Sequence, residues 1–345
     1  MKADSPSILL IYTGGTIGMI NDPVSGSLKP FDFSKIMKQI PEIKTLGYHI
    51  ESYSFDPPID SSEIKPETWV RMAEIIEKRY QDFDGFVILH GTDTLAYSAS
   101  ALSFMLEDLA KPVVFTGSQL PMGDLRTDGK ENLITSIVIA AAQEHGKAVV
   151  PEVCIYFESK LSRGNRTTKV SAEQFNAFQS ANYPYLANAG VHIIYRREAV
   201  RYKGKFRKLV VHKKFNNHIA ILKLFPGITP EYMDAVLGYK ELKGLILETY
   251  GAGNAPTESW FLERIEKAIE KGVVILNVTQ CSRGSVEMGR YETSRQLLNA
   301  GVLSGYDITT EAATTKMMIL LAQNLKTEEV KMLLNKSLKG EITLP

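Results

Sequence analysis

The chain has 345 residues, more than a single core usually holds, and we read two domains. Hydrophobic residues make up 44% and charged residues 23%, as in an ordinary globular protein, and a net charge of +1 gives no general pull toward nucleic acid or membrane. The two cysteines, Cys154 and Cys281, lie far apart outside any CxxC or Cys/His cluster, which argues against a zinc site and for a reducing compartment.

The start, MKADSPSILLIYTGG, carries acidic Asp4, and its apolar run stops short of the roughly 7–15 residues of a secretory signal. No stretch approaches the ~20 apolar residues that span a bilayer, so the expectation is a cytoplasmic protein with no membrane partner.

In chain order, residues 7–13 (SILLIYT) read as a buried strand ending at Thr13-Gly14-Gly15-Thr16. Residues 66–80 read as a helix, with Trp69, Met72, Ala73, Ile76 and Tyr80 at helical spacing and Pro66 in the first turn. Residues 85–91 (GFVILHG) and 111–117 (KPVVFTG) repeat the strand pattern around a helix over 94–109. A third helix runs over 131–146 and is closed by Gly146. This alternation predicts a doubly wound, mostly parallel α/β domain over 1–195.

Residues 196–215 are strongly basic. A nucleic-acid patch and a solvated linker or hairpin compete, and the lack of a stacking motif leads us to the linker. Strands over 218–227, 243–254 and 272–281 then alternate with helices near 229–239, 257–271 and 310–324, giving a smaller α/β domain over 216–345.

Ligands of open α/β sheets bind beyond the carboxyl ends of strands. Those ends carry hydroxyls beside glycines: Gly15-Thr16, Gly91-Thr92-Asp93-Thr94 and Gly117-Ser118-Gln119. Glycine lets backbone amides approach a substrate, where they can hold an oxyanion, and the neighbouring hydroxyl can act as nucleophile. The glycines match neither GxGxxG nor the GxxxxGK[ST] phosphate loop, so no nucleotide cofactor is expected.

A threonine hydroxyl needs a base. His90 precedes a glycine and reads as structural, whereas Lys169, in LSRGNRTTK, becomes a base when desolvated beside a carboxylate. Thr92, Lys169 and Asp93 would form that relay. Taken singly, Thr16 reads as a turn hydroxyl, Thr92-Asp93 as a helix cap, Lys169 as a surface lysine and Ser61 as a helix-entry turn.

YTGGTIG, GFVILHGTDTLAYSASALSFML, PVVFTGSQLP and RGNRTTK together resemble the bacterial-type L-asparaginases, most closely the cytoplasmic type I branch. The resemblance covers nearly the whole chain, including YGAGNAP and NVTQCSRG. It implies a two-domain α/β enzyme, a homodimer or dimer of dimers, that hydrolyses L-asparagine without metal or cofactor. Carried over, Thr16 is the nucleophile, and Thr92, Asp93 and Lys169 are the second threonine with its aspartate and lysine. Asp93 also holds the substrate's α-amino group, and Ser61, with Asp60 beside it, the α-carboxylate. Ser118 contacts the substrate amide through its backbone, and Asn254 lies near a partner's site. Thr168 and Cys281 match a second, regulatory asparagine site, although Glu248 stands where some relatives have a basic residue. Cys281 otherwise reads as a buried, small apolar residue.

One departure stands out. Many members carry a tyrosine after the nucleophile, but MINDPVSGSLKPF has none, and Leu28 stands at that place. Either the tyrosine's role is lost or another residue takes it, and Tyr291, from the C-terminal domain of this or a neighbouring subunit, is a candidate.

Three other functions stay open on the sequence. A glutaminase-asparaginase would differ by room for one methylene. The related amidase subunit that serves tRNA charging usually has an extra N-terminal module, and with TGGT beginning at residue 13 none is expected here. The third is a non-catalytic amino-acid sensor or a nucleotide-binding module, and a sensor would not need Thr16, Thr92 and Lys169 together.

Overall fold

The computed structural model describes residues 5–21, 28–30, 40–202 and 208–344. The chain forms two compact units, Met1–Lys213 and Lys214–Pro345.

The first unit is built on one eight-stranded sheet: β1 (Ser7–Tyr12), β2 (His49–Ser54), β3 (Gly85–Leu89), β4 (Val113–Thr116), β5 (Val153–Phe157), β6 (Lys160–Arg163), β7 (Ala187–Ala189) and β8 (Ile193–Tyr195). From one edge the order is β2-β1-β3-β4-β5-β6-β7-β8. The first five strands pair in parallel and the last three antiparallel. The chain therefore winds outward from β1 in both directions, and a crevice opens where the order reverses, between β1 and β3.

Every residue of β3, β4 and β5 is buried, because helices cover both faces. Ile8, Leu10 and Tyr12 of β1 pack with Leu133 and Ile137 of α3 (Gly129–Ala141). Leu9 and Ile11 point the other way by the two-residue period of a strand, toward the side of α1 (Pro66–Arg79) and α2 (Leu95–Met105). Each such side chain stabilises the fold by roughly 1.5–3 kcal/mol on transfer grounds.

Two helix ends differ from the sequence pattern. α2 stops at Met105, where Leu106 turns into a two-residue strand with Glu107, paired with Val210–Val211. α3 stops at Ala141, and Gly146 serves a hairpin that joins Gln143–Glu144 to Lys147–Ala148. His145 (φ 51°) and Gly146 (φ 71°) are both left-handed, as a two-residue hairpin turn requires. The first residues of the basic stretch are tied into this unit. The buried pair Arg163–Glu152 (2.6 Å) binds the Ala199 carbonyl through Arg163 and accepts the Arg201 amide through Glu152.

The second unit has four parallel strands in sequence order, β9 (Ile219–Lys223), β10 (Gly244–Thr249), β11 (Val274–Thr279) and β12 (Leu303–Ser304). One face is covered by α4 (Pro230–Leu237), α5 (Ser259–Glu270) and α6 (Glu292–Asn299), through Met233, Phe261, Ile265 and Leu297. α7 (Thr310–Leu321) packs on the sheet and α8 (Thr327–Leu334) packs on α7. Among the described residues, no helix is long and apolar enough to cross a membrane.

Candidate active site

The crevice beyond β1 and β3 is closed by glycines. Gly14 (φ 139°) lies so close to Ile59 that a Cβ would sit 2.0 Å from the Ile59 carbonyl oxygen. On Gly15 (φ 88°) a Cβ would fall 2.4 Å from the Gly91 backbone, and on Gly91 one would fall 2.6 Å from Ser61 Oγ. Three loops thus meet backbone to backbone, which only residues without side chains allow. Thr16 and Thr92 each directly follow a glycine of the Gly15–Gly91 contact, so the order of β1 and β3 brings these two hydroxyl residues to one place.

Thr16 opens a single 3-10 turn, Thr16–Gly18, and is half-buried. Thr92 and Asp93 stand just before α2. They do not cap that helix, whose N-cap is Thr94, and the Thr94 side chain makes no capping bond either. Both turn to Lys169 instead: Nζ donates to Thr92 Oγ1 at 2.8 Å and to Asp93 Oδ1 at 2.7 Å. Lys169 is no surface lysine, since its side chain is 17% exposed while Asp93 is 63% exposed at the mouth. It sits on a short strand, Thr168–Lys169, paired with Phe178–Gln179. The turn Gly164–Arg166 before it packs on α2, with Gly164 against Ala99, and carries Lys169 to the Thr92 end of that helix.

Ser61 is buried in the 3-10 turn Ser61–Glu63. Its Oγ accepts the Asp93 amide at 3.3 Å and its carbonyl accepts Thr94 Oγ1 at 2.6 Å, which ties the 61 loop to residues 93 and 94. Asp60 caps this turn by accepting from Ser62 N and Ser62 Oγ, both at 2.9 Å, and these bonds hold its carboxyl below the usual range. Ser118 is buried, with its hydroxyl donated to the Leu120 carbonyl.

His90 is buried: Nδ1 lies 2.7 Å from the Gly91 carbonyl and Nε2 2.9 Å from Ser98 Oγ. Burial pushes its pKa down to about 4, so it is neutral at ordinary pH.

The sequence reading missed two residues here. Gln119 lies 3.4 Å from Thr92 Oγ1 through Oε1 and donates Nε2 to the Gln174 carbonyl. Asp128, at the start of α3, accepts the Gln119 and Leu120 amides and Asn132 Nδ2. The signal for both is weak, a polar residue after a strand-end glycine and an acid before a helix.

The other candidates lie in the second unit or beside the cluster. Asn254 bridges to Tyr250 and accepts Thr293 Oγ1 at 2.7 Å. Tyr291 is exposed at the start of α6, with Arg290 over its ring at 5.6 Å. Leu28 lies on a strand, Leu28–Pro30, paired with Met19–Asn21, while residues 22–27 and 31 of that loop fall outside the described residues. Thr168 adjoins Lys169 on its strand. Cys281 is exposed rather than buried, because the chain turns outward after β11 and the Cys281 amide is held by Thr279 Oγ1. Glu248 accepts Thr310 Oγ1 at 2.6 Å. Among the described residues, no group of three or more His, Cys, Asp or Glu side chains converges as metal ligands would.

Hydroxyls, an amine and a carboxylate at the switch point of an open α/β sheet form a site of the kind that transfers acyl groups. The comparisons with known proteins show the family. The family model "Asparaginase, N-terminal" matches residues 7–201, and "Glutaminase/Asparaginase C-terminal domain" matches residues 218–334. The chain is 43% identical over 342 residues to L-asparaginase 1 of Escherichia coli (strain K12), covering 98% of each. It is 40% identical over 367 residues to the 60 kDa lysophospholipase of Mus musculus, covering 98% of this chain and 63% of that longer protein. The crystal structure of L-asparaginase I from Vibrio cholerae superposes with a TM-score of 0.90 at 40% identity, covering 99% of this chain and 100% of that one. The chain belongs to the asparaginase family.

Proposed function

We propose that the protein hydrolyses L-asparagine to L-aspartate and ammonia through an acyl-enzyme on Thr16. The observation that carries this reading is Lys169 Nζ, held between Thr92 Oγ1 and Asp93 Oδ1 beside the loop that presents Thr16. Thr16 Oγ attacks the side-chain amide carbon, and the C–N bond breaks as the nitrogen takes up a proton and leaves as ammonia. Water then hydrolyses the ester and regenerates the Thr16 hydroxyl. Thr92, Lys169 and Asp93 pass the protons in both halves, since a lysine between a hydroxyl and a carboxylate can give and take one without leaving its place.

The substrate is a zwitterion. Asp93 meets its ammonium, Ser61 (with Asp60 beside it) its carboxylate, and the backbone at Ser118 its amide. Backbone amides at the glycine turns stabilise the developing oxyanion. No cofactor enters this scheme. We place the protein in a reducing compartment such as the cytoplasm, which two unpaired cysteines suit.

Ammonia release from asparagine, titrated with substrate, tests the reading. The wild type releases ammonia, and Thr16→Ala lowers kcat by about 10³-fold or more while the fold persists. A protein that binds asparagine without releasing ammonia is a sensor instead. A glutamine titration gives the preference between the two amides. A sigmoidal asparagine curve supports regulation through Thr168 and Cys281, and a hyperbolic one removes it.

We further propose a homodimer or homotetramer in which Asn254 and Tyr291 of a second copy complete each site. Thr16→Ala and Asn254→Ala chains, each weak alone, should regain activity on mixing, because one site of the hybrid has both residues intact. No gain from a verified hybrid means each site belongs to one chain.

A further inference from the structure

A buried, hydrogen-bonded histidine lies directly beneath the site, and the chemistry above does not use it. His90 is 1% exposed, directly follows β3 and precedes Gly91. Its ring is bonded at both nitrogens, and the partners dictate where the protons are. The Gly91 carbonyl can only accept, so Nδ1, 2.7 Å away, carries a hydrogen. In a neutral ring Nε2 is then an acceptor, and Ser98 Oγ, at 2.9 Å, must donate to it. Ser98 Oγ in turn accepts from Trp69 Nε1, a group that can only donate, at 2.9 Å. The bonds thus run one way, from Trp69 on α1 through Ser98 on α2 to His90, and from His90 to the Gly91 carbonyl. Burial keeps the ring neutral and so keeps this direction. Phe115 packs edge-on against the ring at 5.9 Å and closes off its surroundings.

The Gly91 carbonyl belongs to the peptide whose nitrogen is Thr92's. Gly91 touches both Gly15 and Ser61, and Ser61 holds the Asp93 amide. A rotation of this one peptide moves Thr92 away from Lys169 and pushes the Thr16 and Ser61 loops apart together.

We propose that His90 is a positioning residue for the hydrolysis: as a neutral imidazole of a single tautomer it clamps the Gly91 carbonyl and thereby sets Thr92, Ser61 and the Thr16 loop in register. The proposal rests on the reading of the site as an asparagine hydrolase. His90 itself touches no reacting atom.

The test uses three variants and one spectrum. An asparagine side chain places an N–H where His90 Nδ1 stands, and a glutamine places one nearer Nε2. His90→Asn therefore keeps kcat within about threefold of the wild type, whereas His90→Gln and His90→Leu lose about 10- to 100-fold in kcat, the scale expected for misplacing a catalytic group by up to an ångström. Ser98→Ala leaves Nε2 without its donor and falls between these limits. A merely structural histidine would lower stability in all variants and would not separate asparagine from glutamine in kcat. The 15N shifts of His90 in the wild type show a protonated Nδ1 and a bare Nε2 at pH 7 and at pH 5.5. Wild-type kcat in folded His90→Gln overturns the proposal, and so does a protonated Nε2. If the variants do not fold, the 15N spectrum still decides. If the wild type releases no ammonia, the functional reading fails while the tautomer assignment stands or falls separately.

Discussion

Lys169 shows how little a residue type says without its surroundings. A lysine after two threonines is ordinarily a solvated side chain, yet here it bonds Thr92 and Asp93, 77 and 76 residues earlier. The chemistry of the cluster was legible because hydroxyls beside strand-end glycines, an acid and a lysine are types that acyl transfer needs. That they meet was not legible, since no local rule links residue 92 to residue 169. Cys281 illustrates the opposite failure. A lone cysteine is commonly buried, but this one lies just past a strand end, where the chain leaves the core. His90 makes a prediction of its own. Its native pKa, about 4, lies below its ordinary 6.5, so between those values the unfolded chain binds a proton that the native one refuses. Stability is therefore lost as pH falls through this window, by roughly 3 kcal/mol near pH 4. Urea unfolding at pH 7.5 and 4.5 should show a smaller acid loss for His90→Asn than for the wild type. Equal losses would mean the ring takes up its proton while folded.

The strands and helices followed their apolar periods closely where those periods were strong. Residues 7–13, 85–91 and 111–117 contain β1, β3 and β4, and Pro66 does start α1. Edge elements were invisible, and β2, with the sequence HIESYS, has no apolar run because it lies at the sheet's rim. Gly146 looked like a helix stop, and only its pairing environment shows it to be a hairpin turn. The glycine-to-glycine junction of the loops after β1 and β3 carries the next expectation. Gly15→Ala puts a Cβ 2.4 Å from the Gly91 backbone in a left-handed conformation, so the two loops must separate. That change should lower kcat/KM for asparagine by about 10²-fold and stability by about 1–3 kcal/mol. A variant with unchanged kinetics and melting would show that the loops are not held in contact.

In the second unit a buried ion pair ties the segment after α8 to α7. Lys316 Nζ on α7 lies 2.7 Å from Glu341 Oε1, with both side chains 0% exposed. Lys316 also donates to the Leu334 and Lys336 carbonyls, and Glu341 accepts the Leu338 and Lys339 amides. Burial pushes the Glu341 carboxyl up, but Lys316 and these amides outweigh it and hold the carboxyl below the usual range. Glu341→Ala leaves an ammonium buried without its counter-charge and should destabilise the protein by about 3–5 kcal/mol, read as a lower urea midpoint. An unchanged midpoint would mean water reaches Lys316.

Read alone, the residues told of two α/β units, of most central strands, and of which strand ends bear hydroxyls, an acid and glycines. All of these follow from periods and turn preferences that act over a few neighbours. The three-dimensional fold supplied the rest: the order β2-β1-β3, the Gly15–Gly91 contact, the approach of Lys169 to Thr92 and the buried bonds of His90. Those features depend on which distant segments pack together, and that choice is made by the core as a whole rather than by any short stretch of chain.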